Sequence, residues 1–298
     1  MEERGSDRAV THMQNISIIV PVNRECGWLI KSLQAVFSQD RVPGGASLGV
    51  IMVNDGYGEF EAVKDAIRPL FADRNITFLS QPKGGPAKAR NLGISSAGPG
   101  IICFLDDDSV PERDWLSQLL GSFERGADLV SGKTLSLNRD KGSFPYLLER
   151  SVYAPGRRFA TCNIAYRKEV LDKIGVFDES FKTASWEDND LGIRAVSGGF
   201  KYVYNPGAVV YHDHERSEGD FREKCSRNGR GLAVLSRKYA LRSPLVALLC
   251  ILLTLRWLPL YFVFPFFRGD LRKVLYLRFA WSYYSLTGAL GTWKQQKG

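Results

Sequence analysis

Short apolar runs alternate with segments of helical spacing along the front of the chain, and this alternation most constrains the fold. Residues 16–22 (ISIIVPV) are continuously apolar and β-branched, which is typical of a strand covered on both faces. Further strands are predicted over 48–53, 75–79 and 101–105, and helices over 26–37, 60–71 and 86–95. Repeated strand–helix alternation favours parallel pairing. The pattern therefore predicts an α/β fold with a doubly wound, mostly parallel sheet flanked by helices.

Three consecutive aspartates, Asp106, Asp107 and Asp108, directly follow the predicted strand at 101–105. Like charges this close raise the cost of ionising all three, and a cation offsets that cost. Hard divalent ions prefer carboxylate oxygens. Because open α/β sheets bind ligands at the carboxyl ends of their strands, the run predicts a metal–phosphate site. A solvated acidic turn is the alternative.

The composition describes a chain that can bury a core. Its 298 residues, 44% hydrophobic and 24% charged, suffice for one large α/β domain with an appendage or for two modest domains. The five cysteines are scattered without a CxxC pair, so neither a zinc site nor a disulfide framework is indicated, and a reducing, cytosolic compartment is expected. Residues 1–14 are polar and lack an apolar h-region, which predicts a flexible N-terminus rather than a signal peptide.

The net charge of +8 is unevenly distributed along the chain. From Arg216 onward there are 15 Lys+Arg against 4 Asp+Glu, a charge of +11. The preceding residues carry 25 against 28, a charge of −3. A nearly neutral front with a strongly basic tail indicates an anionic partner for the tail.

Residues 244–267 form an apolar stretch with a single charge, Arg256. A helix of that length could span a bilayer core of about 30 Å, but Arg256 would lie mid-membrane, and Pro259 and Pro265 would strain the helix. Basic residues interleaved with aromatics indicate helices that lie among lipid headgroups. We therefore predict a peripheral, monotopic attachment to an anionic membrane surface. A single span and an ordinary helical appendage are the alternatives, and the apolar content disfavours a nucleic-acid partner.

Two nucleotide-binding motifs can be tested on the sequence. The first strand–helix junction has no G-x-G-x-x-G, so a dinucleotide fingerprint is absent. Residues 126–134 (GADLVSGKT) approximate a P-loop but hold five residues between the glycines, where the motif requires four. A hairpin or loop is predicted there instead.

Three further segments carry candidate chemistry. Asp55 ends a predicted strand, where its carboxylate could accept hydrogen bonds from a base or ribose, or simply form an Asx turn. Residues 83–94 form a Gly-rich turn into a basic helix, an arrangement that suits phosphates. Glu187, Asp188 and Asp190 crowd a predicted first helical turn, where acids complement the helix dipole or supply a general base.

These segments together resemble the family 2 glycosyltransferases with the GT-A fold. The resemblance is carried in the family's order by VPVNRE (20–25), VNDG (53–56), GGPAKARNLGI (84–94), FLDDDSVPERDWL (104–116), CNIAYRKEVLDKIGVFDESF (162–181), WEDNDLGIR (186–194) and NPGAVVYHDHERS (205–217). It covers roughly residues 15–217. The chain departs from the family in having no Tyr before Asn23, and in having Tyr57 where Ser is frequent.

The resemblance implies an inverting, nucleotide-sugar-dependent and metal-dependent transferase. Asp188 matches the catalytic base. Donor binding would involve Pro21, Val22, Asn23, Glu25, Asp55, Arg90, Asp106 and Asp107. Acceptor binding or support of the active site would involve Asn163, Trp186 and Glu187. The implied metal ligands are Asp108, which would bind directly, with Asp106 and His212. The expected cofactors are a divalent metal, Mn or Mg, and a UDP-sugar.

His212 and His214 form an H-x-H pair whose alternate residues share a strand face. Zinc is the minor alternative here, because no third His or Cys is nearby in sequence; His214 is predicted to be a surface residue. Two functions remain. One is a sugar transferase acting on a lipid-linked or glycan acceptor at the cytoplasmic membrane face; the other is a non-catalytic nucleotide-sugar or glycan-binding module. The predicted divisions are 1–14 (flexible), 15–217 (GT-A domain) and 218–298 (basic, apolar, helical).

Overall fold

The structure, a computed structural model, describes most of the predicted GT-A domain and parts of the tail. The described residues are 15–23, 27–40, 46–138, 140, 143, 159–213, 217–239, 252, 276–277, 280–281 and 283–287. The predictions for residues 1–14, Glu25 and His214, and nearly all of the apolar stretch 244–267, lie outside them.

Strands and helices alternate through the described residues. The strands are β1 (Asn15–Val22), β2 (Leu48–Asp55), β3 (Ile76–Gln81), β4 (Gly100–Phe104), β5 (Ser109–Pro111), β6 (Leu129–Ser136), β7 (Ile164–Arg167) and β8 (Tyr202–His212). The helices are α1 (Gly27–Phe37), α2 (Phe60–Ile67), α3 (Pro86–Ser96), α4 (Trp115–Glu124), α5 (Lys168–Ile174), α6 (Glu187–Ser197) and α7 (Glu218–Lys238). The strands form one sheet in the order β3-β2-β1-β4-β7-β6-β8-β5.

The sheet is parallel on one side and mixed on the other. Strands β3, β2, β1 and β4 pair in parallel, as the alternation predicts. Strand β7 then runs antiparallel between β4 and β6, and β5 runs antiparallel to β8, while β6 and β8 are parallel. The sheet was predicted to be mostly parallel; it is instead mixed, because three of the seven strand pairings in the described residues are antiparallel. Each antiparallel pair joins segments far apart in sequence, which local alternation does not register.

The segment 126–134, predicted as a hairpin or loop, instead leads into β6 in the interior of the sheet. Its Gly132 lies against the strand backbone of β8, because a Cβ there would be 2.0 Å from the Ala208 carbonyl oxygen. The glycine that made this segment look like a phosphate loop thus permits close strand packing.

Two apolar layers cover the two faces of the sheet. Ile18 and Val20 of β1 pack with α1, α2 and α4, whereas the intervening Ile19 packs with α3, α5 and α6. This alternation follows from the two-residue period of a strand. Both faces are covered, so the strand ends are where ligands can reach the sheet.

Helix α7 begins the basic tail. It starts with a capping box, in which the Ser217 hydroxyl accepts from the Asp220 amide while the Asp220 carboxylate accepts from the Ser217 amide. Its Phe221 and Cys225 are buried against Leu277 and Ala280. Within the part of the chain that the structure describes, no helix is long and apolar enough to cross a membrane.

Candidate active site

The ends of β4 and β8 bring an acidic cluster against an imidazole. In the β5–β8 ladder Ser109 pairs with His212, so His212 lies beside the preceding Asp108. The His212 Nε2 atom is 3.3 Å from Asp108 Oδ1 and 3.5 Å from Asp106 Oδ2. The structure thus brings together the three residues predicted to hold a metal.

Asp107 lies apart from this cluster. It is buried, and its Oδ2 accepts a hydrogen bond of 3.3 Å from the backbone amide of Asn23, just after β1. The carboxylate therefore joins the ends of two neighbouring strands. Asn23, with Pro21 and Val22 before it, lies at the end of β1 where a donor pocket was predicted; their contact with a donor stays a prediction.

Arg90 of α3 connects the acidic cluster to the start of α6. Its side chain is buried, its Nη2 donates to Asp106 Oδ1 at 3.0 Å, and its Nη1 donates to Glu187 Oε1 at 2.9 Å. The guanidinium was predicted to bind the donor; in the structure it is engaged by two carboxylates, and any contact with a donor stays a prediction. A buried cation with two anionic partners fixes the distance between the two halves of the site.

Charges within the cluster hold Asp106 ionised. Burial by itself raises the pKa of Asp106, but the hydrogen bond with His212 and the charge of Arg90 outweigh burial and hold that pKa well below its usual range. For His212, burial lowers the pKa, and the charges of Asp108 and Asp106 more than compensate, so the pKa is raised. An ionised carboxylate at a strand end is suited to bind a cation.

The pKa values of Glu187 and Asp188 shift in the opposite direction from that of Asp106. Burial, with the negative charge of Asp188, raises the pKa of Glu187 to about 7 against the charge of Arg90. Burial also raises the pKa of Asp188, although hydrogen bonds from Asn189 oppose the shift. Strongly perturbed carboxylates next to a cation-binding cluster are typical of catalytic sites.

The two carboxylates differ in access. Glu187 is buried, and its Oε2 accepts a 2.6 Å hydrogen bond from the Ser185 amide. Asp188 is half-buried, and its Oδ1 accepts from the amide and side chain of Asn189 at 2.7 and 2.8 Å. Asp188 is therefore the more accessible of the two carboxylates.

Helix α7 contacts the segment 185–190, which carries these carboxylates. Trp186, at φ 70°, is the one non-glycine residue with positive φ in the described part of the chain. Its indole Nε1 donates to the Asn228 carbonyl of α7 at 3.0 Å. A Cβ on Gly231 of α7 would lie 2.5 Å from the Ser185 carbonyl oxygen, so helix and segment are in close contact.

Asp190 anchors the other end of that segment. It is fully buried and accepts from Arg194, from Lys238 of α7 at 2.9 Å and from the Tyr239 hydroxyl at 3.1 Å. Asp190 is therefore a structural ion-pair partner rather than a second base.

Asp55 and Asn163 are both occupied by contacts within the protein. Asp55 Oδ1 accepts from Gln81 and the Gly84 amide, each at 2.8 Å, and Oδ2 accepts from the Gly85 amide at 2.9 Å, so the carboxylate fastens the turn before α3. Asn163 is buried; it accepts from the Trp115 indole and donates to the carbonyls of Lys133 and Ala208. Their donor-binding and supporting roles stay predictions.

Two residues near the cluster, Cys162 and Lys224, were not singled out from the sequence. Asp106, Cys162 and His212 each offer a ligand atom, and these atoms lie within 4.8 Å of one another. Lys224 of α7 interacts electrostatically with both His212 and Cys162. Neither residue could be assigned from local pattern, although Cys162 opens one of the family-like segments.

The side chains present fit a divalent cation. Asp106, Asp108 and His212 gather carboxylate oxygens around one imidazole nitrogen, a donor set that suits Mn²⁺ or Mg²⁺. The ionised state of Asp106 adds the negative charge that such an ion requires.

The family model for glycosyl transferase family 2 matches residues 17–181, and that for glycosyl transferase family group 2 matches residues 101–293. The chain belongs to glycosyl transferase family 2. Both matches include the aspartates after β4, and the second extends beyond α7 into the tail.

Two named glycosyltransferases are among the relatives of this family 2 protein. It is 28% identical over 246 residues to the pre-mycofactocin glycosyltransferase of Mycobacterium tuberculosis, covering 76% of this chain and 48% of the relative. It is 25% identical over 226 residues to glycosyltransferase AglE of Haloferax volcanii, covering 72% of each chain. The chain thus spans about half the length of the mycobacterial relative.

Solved structures share the fold at low sequence identity. The mannosyltransferase PcManGT from Pyrobaculum calidifontis, in complex with GDP-Man and Mn²⁺, aligns with a TM-score of 0.61 at 17% identity, covering 96% of this chain and 76% of that one. GalNAc-T7 with UDP, GalNAc and Mn²⁺ aligns with a TM-score of 0.57 at 14% identity, covering 70% and 45%. The GT-A-like fold is thereby confirmed, with a mixed sheet flanked by helices.

Proposed function

We propose that this family 2 protein is an inverting glycosyltransferase that moves a sugar from a nucleotide-diphosphate donor to an acceptor hydroxyl. One observation carries the proposal: Arg90 holds a cation-binding cluster and a pair of high-pKa carboxylates on opposite sides of one guanidinium. One group is suited to a diphosphate, and the other is suited to remove a proton. Both are needed for sugar transfer.

The donor side of the site is the cluster at the strand ends. Asp106, Asp108 and His212 would hold the cation, which when bound neutralises charge on the departing nucleoside diphosphate. Two structural neighbours were solved with a nucleotide or nucleotide-sugar and Mn²⁺, which supports this assignment. We propose a UDP-sugar as donor, with the base at the end of β1.

The acceptor side is the start of α6. Asp188 takes the proton from the acceptor hydroxyl, whose oxygen attacks the anomeric carbon opposite the nucleotide. The bond from that carbon to the phosphate oxygen breaks, and its electron pair leaves with the nucleoside diphosphate. One displacement inverts the anomeric configuration. Glu187, held by Arg90 and the Ser185 amide, positions the neighbouring Asp188.

We also propose where the enzyme works. The tail has a charge of +11, and its basic residues alternate with apolar, aromatic stretches. This pattern favours peripheral attachment at the cytoplasmic membrane face. A lipid-linked or glycan acceptor suits that location. A non-catalytic module on the same fold would retain donor binding without turnover, so the intact Asp188 favours the enzyme.

The first prediction is that donor binding requires a divalent cation. Titration calorimetry of the full chain with UDP-, GDP- and dTDP-sugars is run with Mn²⁺ and again with EDTA. We expect one class of nucleotide-sugar to bind, and only when Mn²⁺ is present. This binding should be lost in Asp108→Asn and nearly kept in Asp107→Asn, because Asp108 lies beside His212 whereas the Asp107 carboxylate accepts from the Asn23 amide. Equal affinity in EDTA contradicts metal dependence. Donor binding without sugar transfer to any of a panel of acceptors would identify the protein as the non-catalytic binding module instead.

A further inference from the structure

We propose that Cys162 is an additional ligand of the cation cluster, so that thiophilic divalent metals such as Zn²⁺ and Co²⁺ bind there and compete with Mn²⁺ or Mg²⁺. This inference deepens the proposed function, since it concerns the same cluster that is assigned to the donor's cation. It concerns which metals the protein's own side chains select.

Strand pairing places the thiol at the cluster. Phe104 of β4 pairs with Ile164 of β7 in an antiparallel ladder. Continued two residues beyond the ladder, that register sets Asp106 opposite Cys162. The parallel and antiparallel pairs of β8 bring His212 to the same place. These three residues are distant in sequence and converge only in the folded sheet.

The spacing of the ligand atoms fits a shared metal. One atom each from Asp106, Cys162 and His212 lie within 4.8 Å of one another, and Asp108 Oδ1 is 3.3 Å from His212 Nε2. The Thr134 hydroxyl, 3.7 Å from Cys162 Sγ, is a polar neighbour of the thiol. The sequence discounted zinc because no third ligand was near the H-x-H pair; the fold supplies one.

The ligand chemistry sets the preference. Carboxylate oxygens suit Mg²⁺ and Mn²⁺, imidazole suits zinc and cobalt, and a thiolate selects softer ions. On binding, a metal–sulfur bond forms, the S–H bond breaks and the proton passes to solvent. A cluster of oxygens and one nitrogen already binds Co²⁺ and Zn²⁺ more tightly than Mn²⁺, and a thiolate ligand strengthens that preference.

Cobalt absorption tests the ligand directly. Full-length, metal-free protein is titrated with Co²⁺, and the near-ultraviolet thiolate-to-cobalt charge-transfer band is followed. We expect the band in the wild type, its loss in Cys162→Ser and its retention in Cys225→Ala, whose thiol is buried beside Phe221. Circular dichroism establishes that each variant is folded. No band in the wild type, or a band that persists in folded Cys162→Ser, overturns the proposal.

Competition provides a second measurement. Zn²⁺ is added to Mn²⁺-loaded protein, and the released Mn²⁺ is followed by electron paramagnetic resonance. The Cys162→Ser variant should require at least about 10-fold more Zn²⁺ to release the same amount of Mn²⁺, because loss of the thiol weakens the binding of zinc more than that of manganese. Equal Zn²⁺ requirements overturn the proposal. Neither readout needs sugar transfer: a thiolate band without turnover of any donor sinks the proposed function alone, and turnover without the band sinks the Cys162 assignment alone.

Discussion

The adjacent residues Glu187 and Asp188 receive different surroundings at the start of α6. Glu187 is 3% exposed and has its two oxygens bound to Arg90 and the Ser185 amide. Asp188 is half-buried, and its Oδ1 accepts hydrogen bonds from the amide and side chain of the neighbouring Asn189. A general base must come within hydrogen-bond reach of the proton that it removes. That requirement selects Asp188 for the chemistry and Glu187 for its support.

Asp188→Asn should reduce the rate of transfer by about 10²–10⁴-fold, the usual contribution of a general base, while donor affinity stays nearly unchanged. Initial rates and titration calorimetry measure the two effects. The matched variant Glu187→Gln keeps the size of the side chain and removes only its negative charge beside Arg90, so it should lower the rate less than Asp188→Asn does. An active Asp188→Asn beside an inactive, fully stable Glu187→Gln would show that the base is Glu187. A retained anomeric configuration, read by NMR, contradicts single displacement.

The rate of transfer should fall as pH is lowered, because a protonated Asp188 cannot accept a proton. Burial raises the pKa of Asp188 and raises that of Glu187 to about 7, so the rate should begin to fall at a higher pH than an exposed aspartate would give. Glu187→Gln removes a neighbouring negative charge and should move this acid limb to lower pH. A rate independent of pH down to about 4 would contradict the assignment.

The same shift has a consequence for stability. The pKa of Glu187 in the folded protein is raised, so its contribution to the free energy of unfolding is greatest below the ordinary value of 4.5 and is lost as pH rises through about 7. Thermal unfolding of wild type and Glu187→Gln across that range reports it.

At the scale of elements, helix α7 connects the tail to the segment that carries the proposed base. It contacts the segment 185–190 through Trp186, through the close approach of Gly231 and through Lys238. A non-glycine residue in the left-handed region costs about 1–3 kcal/mol and persists only where its surroundings hold it. The hydrogen bond from Trp186 to α7 provides part of that support.

Gly231→Ala should displace this segment, because the new Cβ would lie 2.5 Å from the Ser185 carbonyl oxygen. We expect a loss of about 1–3 kcal/mol in stability and a lower kcat with donor KM nearly unchanged. Gly219→Ala in the same helix is the control, since its Cβ meets the Ser217 hydroxyl at an ordinary 3.6 Å. Equal kcat values for the two variants would mean that α7 does not position the base.

Local pattern predicts the elements on one side of the sheet and misses those on the other. Strands β1 to β4 follow from apolar runs alternating with helical spacing, and β2 and β3 each end two residues later than predicted. Strand β6 was missed because its partners, β7 and β8, come from distant segments, and because its glycine suggested a loop. The same long-range pairing explains why the aspartates were found from sequence and Cys162 beside them was not.

For the whole molecule, the distribution of charge divides a nearly neutral front from a basic tail. Within the tail, Phe221 of α7 packs near Trp281, and the Asn228 side chain donates to the Ser285 hydroxyl at 3.3 Å. Asn228 also accepts from Trp186 through its carbonyl. Ser285 of the tail is thus linked through Asn228 to Trp186, two residues before the proposed base, Asp188.

The full chain should float with vesicles that contain anionic lipid and not with neutral ones, since each basic residue near such a surface contributes about 1 kcal/mol. High salt or alkaline carbonate should release it. Arg272→Gln combined with Lys273→Gln should weaken flotation, whereas a substitution that keeps the positive charge, such as Lys294→Arg, should leave it unchanged. Retention after carbonate supports a span through Arg256, and failure to float makes the tail a helical appendage.

The pairing of β6 with β8 is irregular. The face of the sheet on which His212 lies therefore depends on whether the number of residues before it changes by an odd or an even number. Gly132 pairs with Asn205 and the next residue, Lys133, with Val209, so residues 206–208 are taken up in a bulge. Successive strand residues face opposite sides of a sheet, so a length change of one residue that the bulge failed to absorb would turn the imidazole away from Asp108. A change of two would keep its face. Homologous chains that vary in length at this joint should therefore differ by even numbers, or carry a compensating change in the bulge.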